Sequence, residues 1–236
     1  MGTGYRVGDD LRRLPDGDEI PLTSSAHARL VWYAGYGSNL CAERFLCYLA
    51  GGAPPGLDRP CRGARDKTPP RADRPLDIPR RLYFAGNSTS WGGAPCFVDT
   101  AENPSAPAHA RAYLITWEQF EDVVAQENGR STTPIDLEPG NLAAGRSIRL
   151  GTGRYDNLVS LNGFEKDAVV TVTSPWTMAE APLRPPSPAY LKVVITGLRE
   201  SHAMADGAIV TYLGAAPGCT EALVRSVLAP AAESEG

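Results

Sequence analysis

"VWYAGYGSNLCAERFLCYLAGG", residues 31–52, decides how the chain is read. It opens on an apolar run, passes through the small, turn-forming residues Gly35 to Asn39, and closes on an amphipathic run that stops at Gly51 and Gly52. A buried strand, a tight turn and a helix from Cys41 to Leu49 satisfy that pattern. Glycine at 35 and 37 permits sharp turning and close approach of the backbone to a ligand. Successive N–H groups at a helix start attract an anion, helped by the helix dipole. Taken alone, the stretch is equally an ordinary strand-to-helix turn.

On either side the chain divides unevenly. Residues 1–28 are polar and rich in Gly and Asp, an N-terminal arm; residues 29–230 form a single domain, and 231–236 are a tail. Residues 53–80 are so dense in Pro, Arg and Asp that an irregular loop is predicted there, either solvated or serving as a lid. Strands are predicted at "RRLYFAG", in the second half of "NSTSWGGAPCFVDT", at "AHARAYLIT", and within 146–175, broken there by Gly-rich and Asn-Gly turns. "WEQFEDVVAQENG" is predicted to be a helix, with Thr116 and Gln119 as a capping box and Gly129 beyond its end. Three C-terminal helices are predicted near 189–202, 208–213 and 221–228, with Asp206 and Thr220 capping the last two. Interleaved strands and helices imply an α/β or α+β fold with a mixed sheet.

Composition narrows the function. A chain of 236 residues buries a core without staples. The net charge of −4 offers no basic surface for nucleic acid. No run approaches the ~20 apolar residues of a membrane helix, and the N-terminus lacks the apolar segment of a signal peptide. The expected compartment is the cytoplasm. Five cysteines, at 41, 47, 61, 96 and 219, fit neither a disulfide framework nor a C-x-x-C motif. His27, His109 and His202 are far apart in the chain, and no Asp/His group has metal-ligand spacing, so no metal site and no zinc-dependent deacetylase chemistry is indicated.

One charged residue falls in an unusual place. On the helix from Trp117 to Asn128, Trp117, Phe120, Val123 and Val124 share a face at ~100° per residue. Glu127 comes seven residues after Phe120 and lands in the same stripe. Glu118 and Asp122 lie opposite, and Glu121 lies toward the edge; all three read as solvated acids. A carboxylate facing the core costs several kcal/mol unless it is paired or its pKa rises. Glu127 is therefore a buried partner of an Arg or of backbone N–H groups, a residue beyond an early helix end, or a general acid/base in a partly desolvated pocket.

The string "YGSNL" after an apolar strand resembles the signature of the γ-glutamylcyclotransferase superfamily. "WGGAPCF", "AQENG", "GTGRYDNLV" and "PPSPAYLKVVITGLRES" resemble further segments of that family in the same order, over residues 31 to about 203. The sequence departs from it at Asn128, where the family has Gly, and in added length at about 130–148. The resemblance implies an α+β fold, a mixed sheet or small barrel surrounded by helices. It implies Glu127 as catalytic acid/base and a substrate site at Tyr36, Gly37, Ser38, Asn39, Leu40, Trp91, Tyr155 and Tyr190. It implies cleavage of a γ-glutamyl amide by the substrate's own amine, releasing 5-oxoproline and a free amine without cofactor or metal. The implied partner is a small γ-glutamyl or aminoacyl molecule, an intermediate of secondary metabolism being one option, with no nucleic acid or membrane; a homodimer stays open. Two alternatives stay open as well: a non-catalytic module binding a metabolite or partner, and a different amide-forming or amide-cleaving reaction in the same pocket.

Overall fold

The computed structural model describes residues 29–54, 56–57, 59–132, 134–164 and 167–229. The arm at 1–28 and the tail at 231–236 lie outside them. The apolar half of the opening stretch is the central strand β1 (Leu30–Gly35). It pairs antiparallel with β5 (Ala108–Thr116) and parallel with β8 (Asp167–Thr173). With β2 (Ala72–Ile78), β6 (Ser147–Arg149) and β7 (Asn157–Phe164) these make a six-stranded mixed sheet in the order β2-β5-β1-β8-β7-β6. A two-stranded sheet joins β3 (Leu82–Phe84) to β4 (Cys96–Val98). Among the described residues five helices complete the α+β architecture: α1 (Ala42–Ala50), α2 (Trp117–Glu127), α3 (Pro188–His202), α4 (Asp206–Gly214) and α5 (Glu221–Leu228). The expected small barrel does not form among the described residues. β2 and β6 do not pair, so the sheet stays open.

Alternation along β1 explains its central place. Val31 and Tyr33 face a core shared with Phe45 and Leu49 of α1 and Phe120 and Val124 of α2. Trp32 and Ala34 face the opposite core, with Leu191 and Val194 of α3 and Ile209 of α4. Each such large side chain contributes about 1.5–3 kcal/mol on burial, so a strand covered on both faces is fixed by packing rather than propensity.

Three readings of the sequence are corrected. The Pro/Arg-rich segment 53–80 contains β2, despite Pro75. β2 is an edge strand, and an edge tolerates a residue that cannot donate. Asn162 and Gly163 lie inside β7, where the register shifts between Leu161 and Phe164, instead of forming a turn. Asp206 is the first residue of α4, not its cap; it accepts from Arg199 Nη2 at 2.6 Å. The capping box does form: Thr116 Oγ1 accepts from Gln119 N at 3.1 Å, and Gln119 Oε1 accepts from Thr116 N at 3.0 Å.

Candidate active site

β1 runs into a 3-10 turn over Gly37–Leu40. The backbone at Gly37 has φ +61°, and a Cβ there would overlap Cys96 Sγ and sit 2.8 Å from Tyr190 Oη. Packing of β4 and α3 against the turn thus requires glycine at this position. The amide N–H of Asn39 donates to Tyr36 O at 3.2 Å, closing the turn. That donor is engaged within the turn itself. Leu40 is 1% exposed and sits in the core beneath Gly197, where a Cβ would overlap it. Neither Gly37 nor Leu40 lines the adjoining cavity.

That cavity measures about 590 Å³, and Glu127, Tyr36, Ser38, Asn39, Trp91, Tyr155 and Tyr190 all line it. The turn after β1 and the last residue of α2, 88 positions apart, meet directly: Asn39 Nδ2 donates to Glu127 Oε1 at 2.8 Å. The same nitrogen lies 3.1 Å from the Tyr33 hydroxyl. Glu127 is half-buried and makes no salt bridge among the described residues. Tyr36 donates to Val172 O at 2.9 Å and Tyr155 to Cys96 O at 3.0 Å, so both phenols are fixed by backbone. Trp91 stands with its ring 5.3 Å from that of Tyr190, forming one wall.

Sequence reasoning missed several wall residues. Arg44 of α1 is 5% exposed; it donates to the Tyr48 hydroxyl at 2.7 Å and lies over that ring at 4.2 Å. Arg44 and Tyr48 are four apart on the buried face of α1, so the helical-wheel signal that isolated Glu127 was present for Arg44 too. Arg59, Arg62 and Arg154 surround the mouth, while Arg130 is held by buried Asp156 at 2.9 and 2.5 Å. Glu127 is the one acidic residue lining the cavity among the described residues. Arg59 and Arg62 share the connection between α1 and β2, while Arg130 and Arg154 come from two other connections distant in the sequence. Asn128, where the resemblance expects Gly, ties the end of α2 to the next wall by accepting from Tyr155 N at 3.0 Å.

Protonation follows from burial and from Glu127. Burial, and next the charge of Glu127, raises the Tyr33 and Tyr48 phenols above their usual range. Both therefore remain O–H groups at neutral pH. Burial alone would lower the Arg44 pKa, but Tyr48 and Glu127 outweigh it and push it up. Burial pushes the Cys96 thiol up to about 12, so Cys96 presents no thiolate nucleophile to the cavity.

The acids opposite the apolar stripe of α2 are also corrected. Glu118 is exposed, but Glu121 and Asp122 are buried. Arg65, from the Pro/Arg-rich segment, reaches Glu121 at 2.9 Å and Asp122 at 3.1 Å, and Thr132 donates to Asp122 from the other side. The expected scatter of histidines is corrected as well: the rings of His109 and His202 lie 4.6 Å apart, with Asp77 beside both.

No family model matches the chain, and no solved structure matches it. It is 36% identical over 213 residues to Histone deacetylase 5 of Arabidopsis thaliana. That match covers 82% of this chain, which spans about a third (32%) of the relative's length. These findings overturn the γ-glutamylcyclotransferase resemblance, because no family model carries it and the matching protein is named for a different reaction. The readings drawn from it, a cyclotransferase or lyase releasing 5-oxoproline, are withdrawn with it. Among the described residues no helix is long and apolar enough to cross a membrane.

Proposed function

We propose that the chain is a hydrolase that cleaves an amide in a small, negatively charged molecule, with Glu127 moving the protons. The observation that carries this reading is the Glu127 carboxylate, half-buried, held by one side-chain amide and free of an ion pair among the described residues, in a cavity whose other charged walls are arginines. Deacetylation is amide hydrolysis, so the name of the relative supports the reaction class. The arginine-lined mouth argues against a basic histone tail and for an anionic substrate.

Glu127 takes a proton from water, the resulting hydroxide attacks the amide carbonyl, and the protonated Glu127 then gives that proton to the leaving nitrogen. Asn39 holds the carboxylate in place, and the neutral phenols of Tyr33 and Tyr48 with the Arg44 guanidinium supply donors on that side of the cavity. Trp91, Tyr155 and Tyr190 are the apolar walls against which a substrate packs.

The test is amine release from a panel of N-acyl compounds carrying carboxylate, neutral or cationic groups. Carboxylate-bearing members should react fastest, and an acetylated histone-tail peptide slowest. Glu127→Gln should lower kcat by about 10²–10⁴-fold and leave substrate binding within a few-fold of the parent. A Glu127→Gln variant that turns over normally, or a preference for cationic substrates, defeats the reading.

A further inference from the structure

A cluster of metal-ligating side chains lies outside the cavity lining, where β2, β5 and the end of α3 meet. Asp77 of β2 and His109 of β5 are register partners, and His202 is the last residue of α3. Three separate elements thus bring one carboxylate and two imidazoles together, with their ligand atoms all within 4.8 Å of one another. His109 Nδ1 lies 2.7 Å from Asp77 Oδ1, and His202 Nε2 lies 3.7 Å from the same oxygen. Two ligands at Zn–N and Zn–O bond lengths in a tetrahedron stand about 3.4 Å apart, and the two separations bracket that value.

The hydrogen bonds around His202 fix its tautomer. Ser201 Oγ donates to Gly197 O at 2.7 Å, so its 2.7 Å contact with His202 Nδ1 is an acceptance from the ring N–H. The proton of the neutral ring is then on Nδ1, and Nε2 carries a bare lone pair. That nitrogen is buried, has no hydrogen-bond partner among the described residues, and faces a carboxylate oxygen. Lone pair against carboxylate is unfavourable unless a cation sits between them. Asp77 is exposed, which leaves an entry path and room for a water as fourth ligand.

We propose that Asp77 Oδ1, His109 Nδ1 and His202 Nε2 form a site for a divalent transition metal, Zn²⁺ by the chemistry of its donors. On binding, the His109 ring proton moves from Nδ1 to Nε2, and the Nδ1 lone pair goes to the metal. The site clamps the edge strand β2 and the end of α3 to β5. It is independent of the cavity and of the reaction assigned there.

The full chain, stripped with a chelator, is titrated with Zn²⁺ by calorimetry in buffers of different ionisation enthalpy, and with Co²⁺ by absorption. Expected are a single metal per chain, no net proton release, a Co²⁺ spectrum without thiolate charge transfer, and a metal-dependent rise in Tm. His202→Gln and Asp77→Asn should each weaken Zn²⁺ binding at least about 30-fold and abolish the Tm rise. Both substitutions keep side-chain bulk, and the metal-free Tm of each variant shows that it folds. No saturable binding, unchanged affinity in both folded variants, or a Co²⁺ spectrum of cysteine ligation overturns the proposal.

Discussion

Asp122 keeps its charge in the interior because donors converge on it from two loops. Burial by itself would raise its pKa; the Thr132 hydroxyl, the Arg65 amide and the Arg65 guanidinium outweigh that and hold it below the usual carboxylate value. The unfolded carboxyl titrates near 3.9. The folded pKa is the lower of the two, so the unfolded state binds more protons in this range. The contribution is therefore complete above about pH 5 and is lost as the pH falls through the folded value. Denaturation midpoints measured from pH 7 down to pH 2 should fall steeply at the acid end, and Asp122→Asn should flatten that fall. Nothing on α2 itself announces this. A wheel drawn on one helix counts only that helix's own faces, and the covering groups come from residues 65 and 132. Glu127 was legible for the same reason: a charge inside an apolar stripe is visible locally. Its contact with Asn39 was not, being made across 88 residues.

At the scale of elements, α2 carries the argument, since it delivers Glu127 and Asn128 at its end and is fixed at its start. The Thr116–Gln119 box satisfies amides there that no helical carbonyl can reach. Thr116→Ala should cost about 1 kcal/mol, read as a shift in denaturant midpoint at unchanged m. The box was legible because it is a spacing of four residues. β2 was not, because Pro75 and the charges of "ADRPLDI" suppress every strand signal. Its status as a strand comes from the hydrogen bonds that β5 offers, a property of the partner rather than of the segment. The small barrel expected for the fold fails on similar grounds, since closure depends on how edges meet.

Over the whole molecule, charge is distributed unevenly. The chain carries a net charge of −4, yet arginines surround the one cavity in which Glu127 stands. Salt screens such an arrangement within about 10 Å at 0.1 M. For the anionic substrate proposed above, raising the ionic strength should increase KM and leave kcat nearly unchanged; an insensitive KM would count against arginine capture. The open sheet raises a separate matter of solution behaviour. Its two ends are a three-residue strand, β6, and β2, where Asp73, Arg74 and Asp77 accompany Pro75. A proline inside a row of charges denies an incoming strand a continuous ladder, and that guards an uncovered end against fibril-like growth. Pro75→Val combined with Arg74→Val should leave the chain folded but make it associate further with concentration, seen as rising light scattering. The residue that hid a strand from view in the sequence is thus also what keeps separate copies of the molecule from joining through it.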